Sequence, residues 1–446
     1  MSHRRSPRPS LAVAFCALLA LVAAALAAQP PGQAGEAEPT VVLKAAHLFD
    51  GVTGRLVDDG VVVVQGGTIT AAGHGVPVPA GARVIDLGDA TLLPGFIDSH
   101  VHLTLELQDN YYKAFYENSF RFPAEQALYA ARYAERTLDA GFTTVRNVGA
   151  WDYVDVGLRN AINAGVAVGP RMLIAVHAIG STGGHADQAP YPPDFVKPLG
   201  PIDGVCNGPA ECRAAVRYQI KYGADVIKFM PSGGVLSPSD PVDVPELTQE
   251  EMDAIVSEAH AWHRKVAAHC HGDEAAKMAI RAGVDSIEHG TFLQDDTLEL
   301  MKEKGVYLVP TLYAGWWVGQ KADSYPPAIA AKARAAAAQM MAMFQRAVRI
   351  GVPIAFGTDA GVEPHGTNAK EFTLMTQNGL TPAQALMAAS HGAADLLGVA
   401  DVTGSLEAGK AADVVAVPGN PLQDITATEH PVLVMKAGEI VVGGER

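Results

Sequence analysis

The sequence predicts an α/β protein: a (β/α)8 TIM barrel carrying a small discontinuous β-sandwich built from the N- and C-terminal segments. Three observations predict it. Between about residues 93 and 402, eight short apolar bursts alternate with longer stretches whose apolar residues recur at helical spacing. Short β-branched runs divided by Gly, Asp and Pro occupy both ends of the chain. Ligand-type polar residues recur at the ends of the central bursts all the way along.

Taken in order, the chain opens with Arg4, Arg5 and Arg8, then a run of Ala, Leu and Val from Ser10 to Ala28. A basic head, an apolar middle and small residues at Ala25 and Ala27 predict a cleaved signal peptide over 1–28. QPPGQAGEAE makes 29–38 a linker. The runs VVLKAAHLFDG, GVVVVQGGTITAAG and ARVIDLGDATLL in 39–92 match the texture of GSLEAGKAADVVAVPGN and HPVLVMKAGEIVVGG in 403–446. Neither end is long enough to bury two sheet faces alone, so both are expected in one sandwich. The barrel then spans 93–402. Its bursts are PGFIDSHVHL, FTTVRNVG, RMLIAVHAI, DVIKFMPSGG, KVAAHCHG, SIEHG, VYLVPTLY and PIAFGTDAG.

Composition narrows the partners. With 48 acidic against 33 basic residues the net charge is −15, and no basic block follows the N-terminus. Nucleic acid and anionic lipid are therefore excluded as expected partners. No later stretch of eighteen apolar residues lacks charge, so no membrane span is expected after signal cleavage. A small-molecule substrate and a periplasmic or secreted location follow, with a homo-oligomer left open. In that compartment Cys206 and Cys212, which enclose the turn-forming Asn-Gly-Pro-Ala-Glu, are a candidate disulfide, with two free thiols the competing reading. Cys270, in an apolar strand, reads as packing.

The chemistry lies in the strand ends. His100 and His102 are two apart in one strand, so both rings point the same way. Lys228 interrupts the apolar DVIKFM, where a free ammonium is costly. His269, His289 and Asp359 close three further bursts. Barrel strand ends converge on one mouth, so four imidazoles, a carboxylate and a lysine there predict one or two divalent metals, zinc first.

PGFIDSHVHL, GFTTVRNVG, GADVIKFM, VAAHCHG, SIEHG, GTDAG and GSLEAGKAADVVAV, in this order, resemble the amidohydrolase superfamily over about residues 40–440. More narrowly they resemble its imidazolonepropionase-like, Xaa-Pro dipeptidase and N-acyl-amino-acid (ochratoxin-type) branch. The resemblance implies two metals, most simply zinc. One is held by His100, His102 and Asp359, and the other by His269 and His289. Lys228, carboxylated by carbon dioxide to a carbamate, is shared between them. It also implies Asp359 as general base and acid, and His185, in STGGHAD, as donor to the developing oxyanion. His271 stands where similar dipeptidases often place a tyrosine that holds the substrate carboxylate. Tyr313, Trp316 and Trp317 are read as a loop overhanging the pocket, and His365 as a further substrate-positioning residue.

The activity expected is carboxypeptidase-like hydrolysis of amide C–N bonds in small N-acyl amino acids or dipeptides. Family analogy extends this to amides of aromatic amino acids, ochratoxin A included. The same metals also suit lactone, cyclic-imide or organophosphate hydrolysis. A reading of a different class is a non-enzymatic periplasmic metal-binding protein, which has no need of the lysine in the fourth strand.

Overall fold

The computed structural model describes residues 39–107, 111–187, 192, 194, 197–238 and 240–443. The expected signal peptide and linker, residues 1–38, lie outside the described residues.

The N-terminal strands are β1 (Thr40–Phe49), β2 (Leu56–Gln65), β3 (Thr68–His74), β4 (Arg83–Asp86) and β5 (Ala90–Pro94). β2 turns into β3 through Gly66 and Gly67, both at positive φ (57° and 78°). A two-residue hairpin needs that backbone and glycine adopts it without strain. β1 pairs with β2 on one edge; its other edge takes β4 along Val41–Lys44 and β5 at His47–Leu48.

The central strands are β6 (Phe96–Val101), β7 (Phe142–Asn147), β8 (Arg171–Ile174), β9 (Val226–Phe229), β10 (Lys265–Cys270), β11 (Ser286–His289) and β12 (Tyr307–Val309). They form two parallel sheets, β6-β7-β8 and β9-β10-β11-β12. β6, β7, β9 and β11 are buried along their whole length, the burial expected of parallel strands covered on both faces. Helices supply the cover. Gln249–Ala261 starts on a capping box, Thr248 Oγ1 accepting from Glu251 N while the Glu251 carboxylate accepts from Thr248 N. It buries Met252, Ile255, Val256 and Ala259 against the strands.

Three isolated parallel bridges link these sheets and the segment after the long helix Pro327–Ile350: Ile179 with Phe229, Leu308 with Ile354, and Val101 with Ala360. The eighth burst, expected as a strand, has only the two bridges at Ile354 and Ala360. The reason is local. Asp359 sits at φ +70°, outside extended geometry, and Thr358 gives its N–H and hydroxyl to the Asp98 side chain rather than to the backbone of β6.

β13 (Val414–Pro418), β14 (Leu433–Lys436) and β15 (Glu439–Val442) close the chain. β13 lies antiparallel to β5, with Val415 opposite Leu93, so both chain ends meet in one eight-stranded sheet. Leu43, Val62, Ile69 and Leu92 from the N-terminal part share a core with Val414, Ala416, Leu433 and Met435 from the C-terminal part. Among the described residues no helix is long and apolar enough to cross a membrane.

Candidate metal centre

A cavity of about 240 Å³ opens where the central strands end. His100, His102, Lys228, His269, His289 and Asp359 all line it, together with His185 and His271. Their ring and carboxylate atoms gather in two groups. In the first, His100 Nε2 lies 3.3 Å and His102 Nε2 3.4 Å from Asp359 Oδ1. In the second, His269, His271 and His289 each offer a nitrogen within 4.8 Å of the others. His289 Nε2 is 3.0 Å from His269 Nδ1, and the His271 and His289 rings stack 4.9 Å apart.

Partners behind the rings decide which nitrogens face the cavity. His100 Nδ1–H donates to Glu288 Oε2 at 2.8 Å, and His102 Nδ1–H to the Gly149 carbonyl at 3.2 Å. Both acceptors lack a proton to give, so in the neutral rings each Nε2 turns a lone pair on Asp359. His269 Nε2–H donates to the Gly233 carbonyl, leaving its Nδ1 as an acceptor facing His289. Thr311 and Thr291 hydroxyls hold Nδ1 of His289 and His271, both at 2.7 Å. In the first group acceptor atoms converge with no donor between them, the arrangement a divalent cation completes, and in the second three imidazoles come close enough to share one ion. The donor set therefore fits the metals that the sequence implies.

Electrostatics agree. Burial pulls His102 down to about 4 and His271 to about 3, and drives His269 and His289 well below the usual imidazole range. Neutral imidazoles are ligands; imidazolium is not. Burial alone raises the Asp359 carboxyl, but His100, then His102 and Lys228, hold it below its ordinary value. Lys228 is 1% exposed, and burial lowers its ammonium to about 8 against the pull of Glu288 and Asp359. Burial likewise pushes Glu288 up, yet Arg146, followed by His100 and Lys228, brings it down to about 2.

His185 reaches the cavity from a loop held on several sides. Its N–H donates to Glu246, and its Nδ1 meets Ser237 Oγ at 3.0 Å. Its ring packs 4.4 Å from that of His269. Gly234 makes room for it, since a Cβ there would lie 2.0 Å from the imidazole. Lys332, on the helix Pro327–Ile350, donates to the carbonyls of Gly234, Ser237 and Asp240 and ties this loop down.

Four expected substrate contacts are displaced. Tyr313, Trp316 and Trp317 lie on a helix, Leu312–Gln320, rather than an overhanging loop. That helix turns Ala314, Gly315 and Val318 to the cavity. Tyr313 is buried on the other side, where its N–H donates to Glu371, and Trp316 is 41% exposed. His365 is buried against Tyr133, its ring 4.8 Å away, with Nε2 on the Leu105 carbonyl. It does not line the cavity.

Sequence reasoning passed over Glu288, Arg146, Thr291, Thr311 and Lys332. Glu288 carried a signal, an acid immediately before His289 in the short burst SIEHG. Asn147 accepts from Leu103 N and donates to the Gly149 carbonyl, the carbonyl that also orients His102. Cys206 and Cys212 are joined by a disulfide, with Cα atoms 5.1 Å apart. Cys270 is buried, which pushes its thiol far up.

Comparison with known proteins decides the family: the amidohydrolase family model matches residues 91–441. The chain belongs to the amidohydrolase family. This amidohydrolase is 31% identical over 473 residues to ochratoxinase of Aspergillus niger, covering 98% of this chain and 94% of that one. It is 26% identical over 386 residues to imidazolonepropionase of Cutibacterium acnes, covering 81% and 87%. Among solved structures it resembles a Xaa-Pro dipeptidase with methionine bound in its active site. That match has 42% identity and a TM-score of 0.87, and covers 91% of this chain and all of the other.

Proposed function

We propose that this amidohydrolase cleaves amide C–N bonds of small N-acyl amino acids or dipeptides, releasing the C-terminal amino acid. Amides of aromatic amino acids, ochratoxin A among them, fall within the proposal. The carrying observation is the pair of convergent ligand-type groups, His100/His102/Asp359 and His269/His271/His289, sharing one cavity with Lys228. The relatives named for ochratoxin and for Xaa-Pro dipeptides support it.

His100, His102 and Asp359 would hold one divalent ion, zinc in the simplest case, and His269 with His289 the other. Bound there, such ions supply Lewis acidity and lower the pKa of a coordinated water. Lys228 would be shared as a carbamate: its neutral amine adds carbon dioxide and releases one proton, giving an anion. A lysine lowered to about 8 has an appreciable neutral fraction for that addition. Asp359 takes the proton of the attacking water at its carboxylate and returns it to the leaving nitrogen as the C–N bond breaks. His185 donates a hydrogen bond to the carbonyl oxygen as it gains charge. His271 orients the substrate carboxylate. Water adds once, giving one acid and one amine.

Around the site, we read the two parallel sheets and the 353–360 segment as one closed (β/α)8 barrel over 93–402. The three isolated bridges support this reading. The forked sheet of 39–92 and 403–446 is read as the folded sandwich. The Cys206–Cys212 disulfide supports export through residues 1–28 to a periplasmic or extracellular location.

The test is a panel of N-acyl amino acids and dipeptides varied one side at a time, assayed for free amino acid. Turnover of such amides is expected; hydrolysis of lactones or phosphotriesters in their place would displace the proposal.

A further inference from the structure

The wall of the cavity away from the histidines is apolar, and two helices meet there at very close range. Gly315 and Gly319, one turn apart on the helix Leu312–Gln320, face the long helix Pro327–Ile350. A Cβ on Gly319 would lie 2.6 Å from that of Ala337. A Cβ on Gly315 would lie 2.2 Å from Met340 Sδ and 3.0 Å from its Cε. Gly315 and Met340 both line the cavity, with Ala314, Val318 and Ala336 around them. Met340 is 2% exposed, so its thioether is stored against the Gly315 backbone. Among the described residues no lysine or arginine other than Lys228 lines the cavity. Lys332, on the long helix, spends its ammonium on loop carbonyls.

We propose that Gly315 and Met340 are the specificity-determining pair of this site, setting how large an uncharged apolar group of the substrate is accepted. The inference rests on the amide-hydrolase reading and adds which residues measure the substrate. Methionine is flexible about three side-chain bonds, so it yields to a new methyl group rather than blocking the fold. The direction open to it is the cavity. Gly315→Ala would therefore shrink the apolar lobe by displacing Met340 into it, while alanine at a helical position costs the helix nothing. Met340→Ala would enlarge the lobe.

The test uses the full chain and a matched set: N-acetyl-alanine, N-acetyl-phenylalanine and N-benzoyl-alanine. Gly315→Ala is expected to lower kcat/KM by at least roughly 10-fold for the bulky member whose large group enters the lobe. The small member should change by less than about threefold. Gly315→Ala/Met340→Ala is expected to restore the bulky substrate, because the displaced side chain is gone. An equal fall on all substrates, or a double variant no better than Gly315→Ala, overturns the proposal. Calorimetric binding of the same compounds to the same variants separates the two readings. Size-dependent binding without hydrolysis overturns the amide-hydrolase reading alone. Binding and turnover both blind to size overturn the assignment of Gly315 and Met340.

Discussion

Glu288 receives His100 Nδ1–H at 2.8 Å, with both side chains almost fully buried. The same carboxylate accepts from Arg146 at 2.8 and 3.0 Å and from Ser286 at 2.5 Å. A chain of buried polar groups therefore runs from the centre of the protein to the back of a candidate ligand and fixes that ring's orientation.

Glu288→Gln tests this support. The amide can still meet His100, but it removes the charge opposite Arg146, and breaking a buried pair costs about 3–5 kcal/mol. Metal affinity should fall about 10–100-fold, the usual effect of losing a partner behind a ligating histidine. Chemical denaturation and competition with a metal chelator read the two effects separately. Unchanged values in both would show that the network orients nothing.

Gly234→Ala addresses His185. The added methyl collides with the imidazole, so the ring must leave its place between Ser237 and His269. If His185 stabilises the oxyanion, kcat should fall at least about 100-fold, with KM and melting temperature little changed. A variant with normal kcat would remove His185 from the mechanism.

Glu371 makes stability depend on pH. It is fully buried beneath the helix Leu312–Gln320 and accepts from Leu312 N and Tyr313 N; burial raises it from 4.5 to about 8. The folded chain thus holds a proton that the unfolded chain releases between those values. The resulting stability is complete below about 4.5 and is lost as pH rises through about 8. Relative to Glu371→Gln, the natural protein should lose up to about 1.4 kcal/mol per pH unit across that window. Denaturation curves of the two proteins that stay parallel from pH 5 to 9 would contradict the assignment.

The Cys206–Cys212 bridge closes a short loop, six residues apart in sequence. Replacing both with serine should cost about 2 kcal/mol on the chain-entropy estimate for so small a loop. Reductant should lower the melting temperature of the natural protein but not of the variant, because Cys270 is buried. Equal sensitivity of both would place the effect elsewhere.

Much of the site was legible because strand ends carry it. His100, His102, Lys228, His269, His289 and Asp359 interrupt apolar runs, and a polar residue at such a position is conspicuous in one dimension. What stabilises them was not. Arg146 meets Glu288 across 142 residues of chain and His100 meets it across 188, and only the fold brings the three together. Tyr313 and Trp316 were misread for a different reason. LYAGWWVGQ has no alternation of apolar and polar residues, because one side of its helix packs in the protein and another borders the cavity. Its glycines, which look like loop signals, instead admit the long helix. The eighth strand was expected as regular because PIAFG is apolar; the positive φ of Asp359 that breaks it leaves no mark in composition.

Amide hydrolysis at two metal ions held by the two histidine groups makes turnover depend on metal content. The most direct measurement is the metal content of the purified protein alongside amide turnover, before and after chelation and on readdition of zinc. The purified protein is expected to hold up to two ions per chain, to lose turnover on their removal, and to regain it as they return. Full amide turnover by a metal-free chain would contradict this dependence.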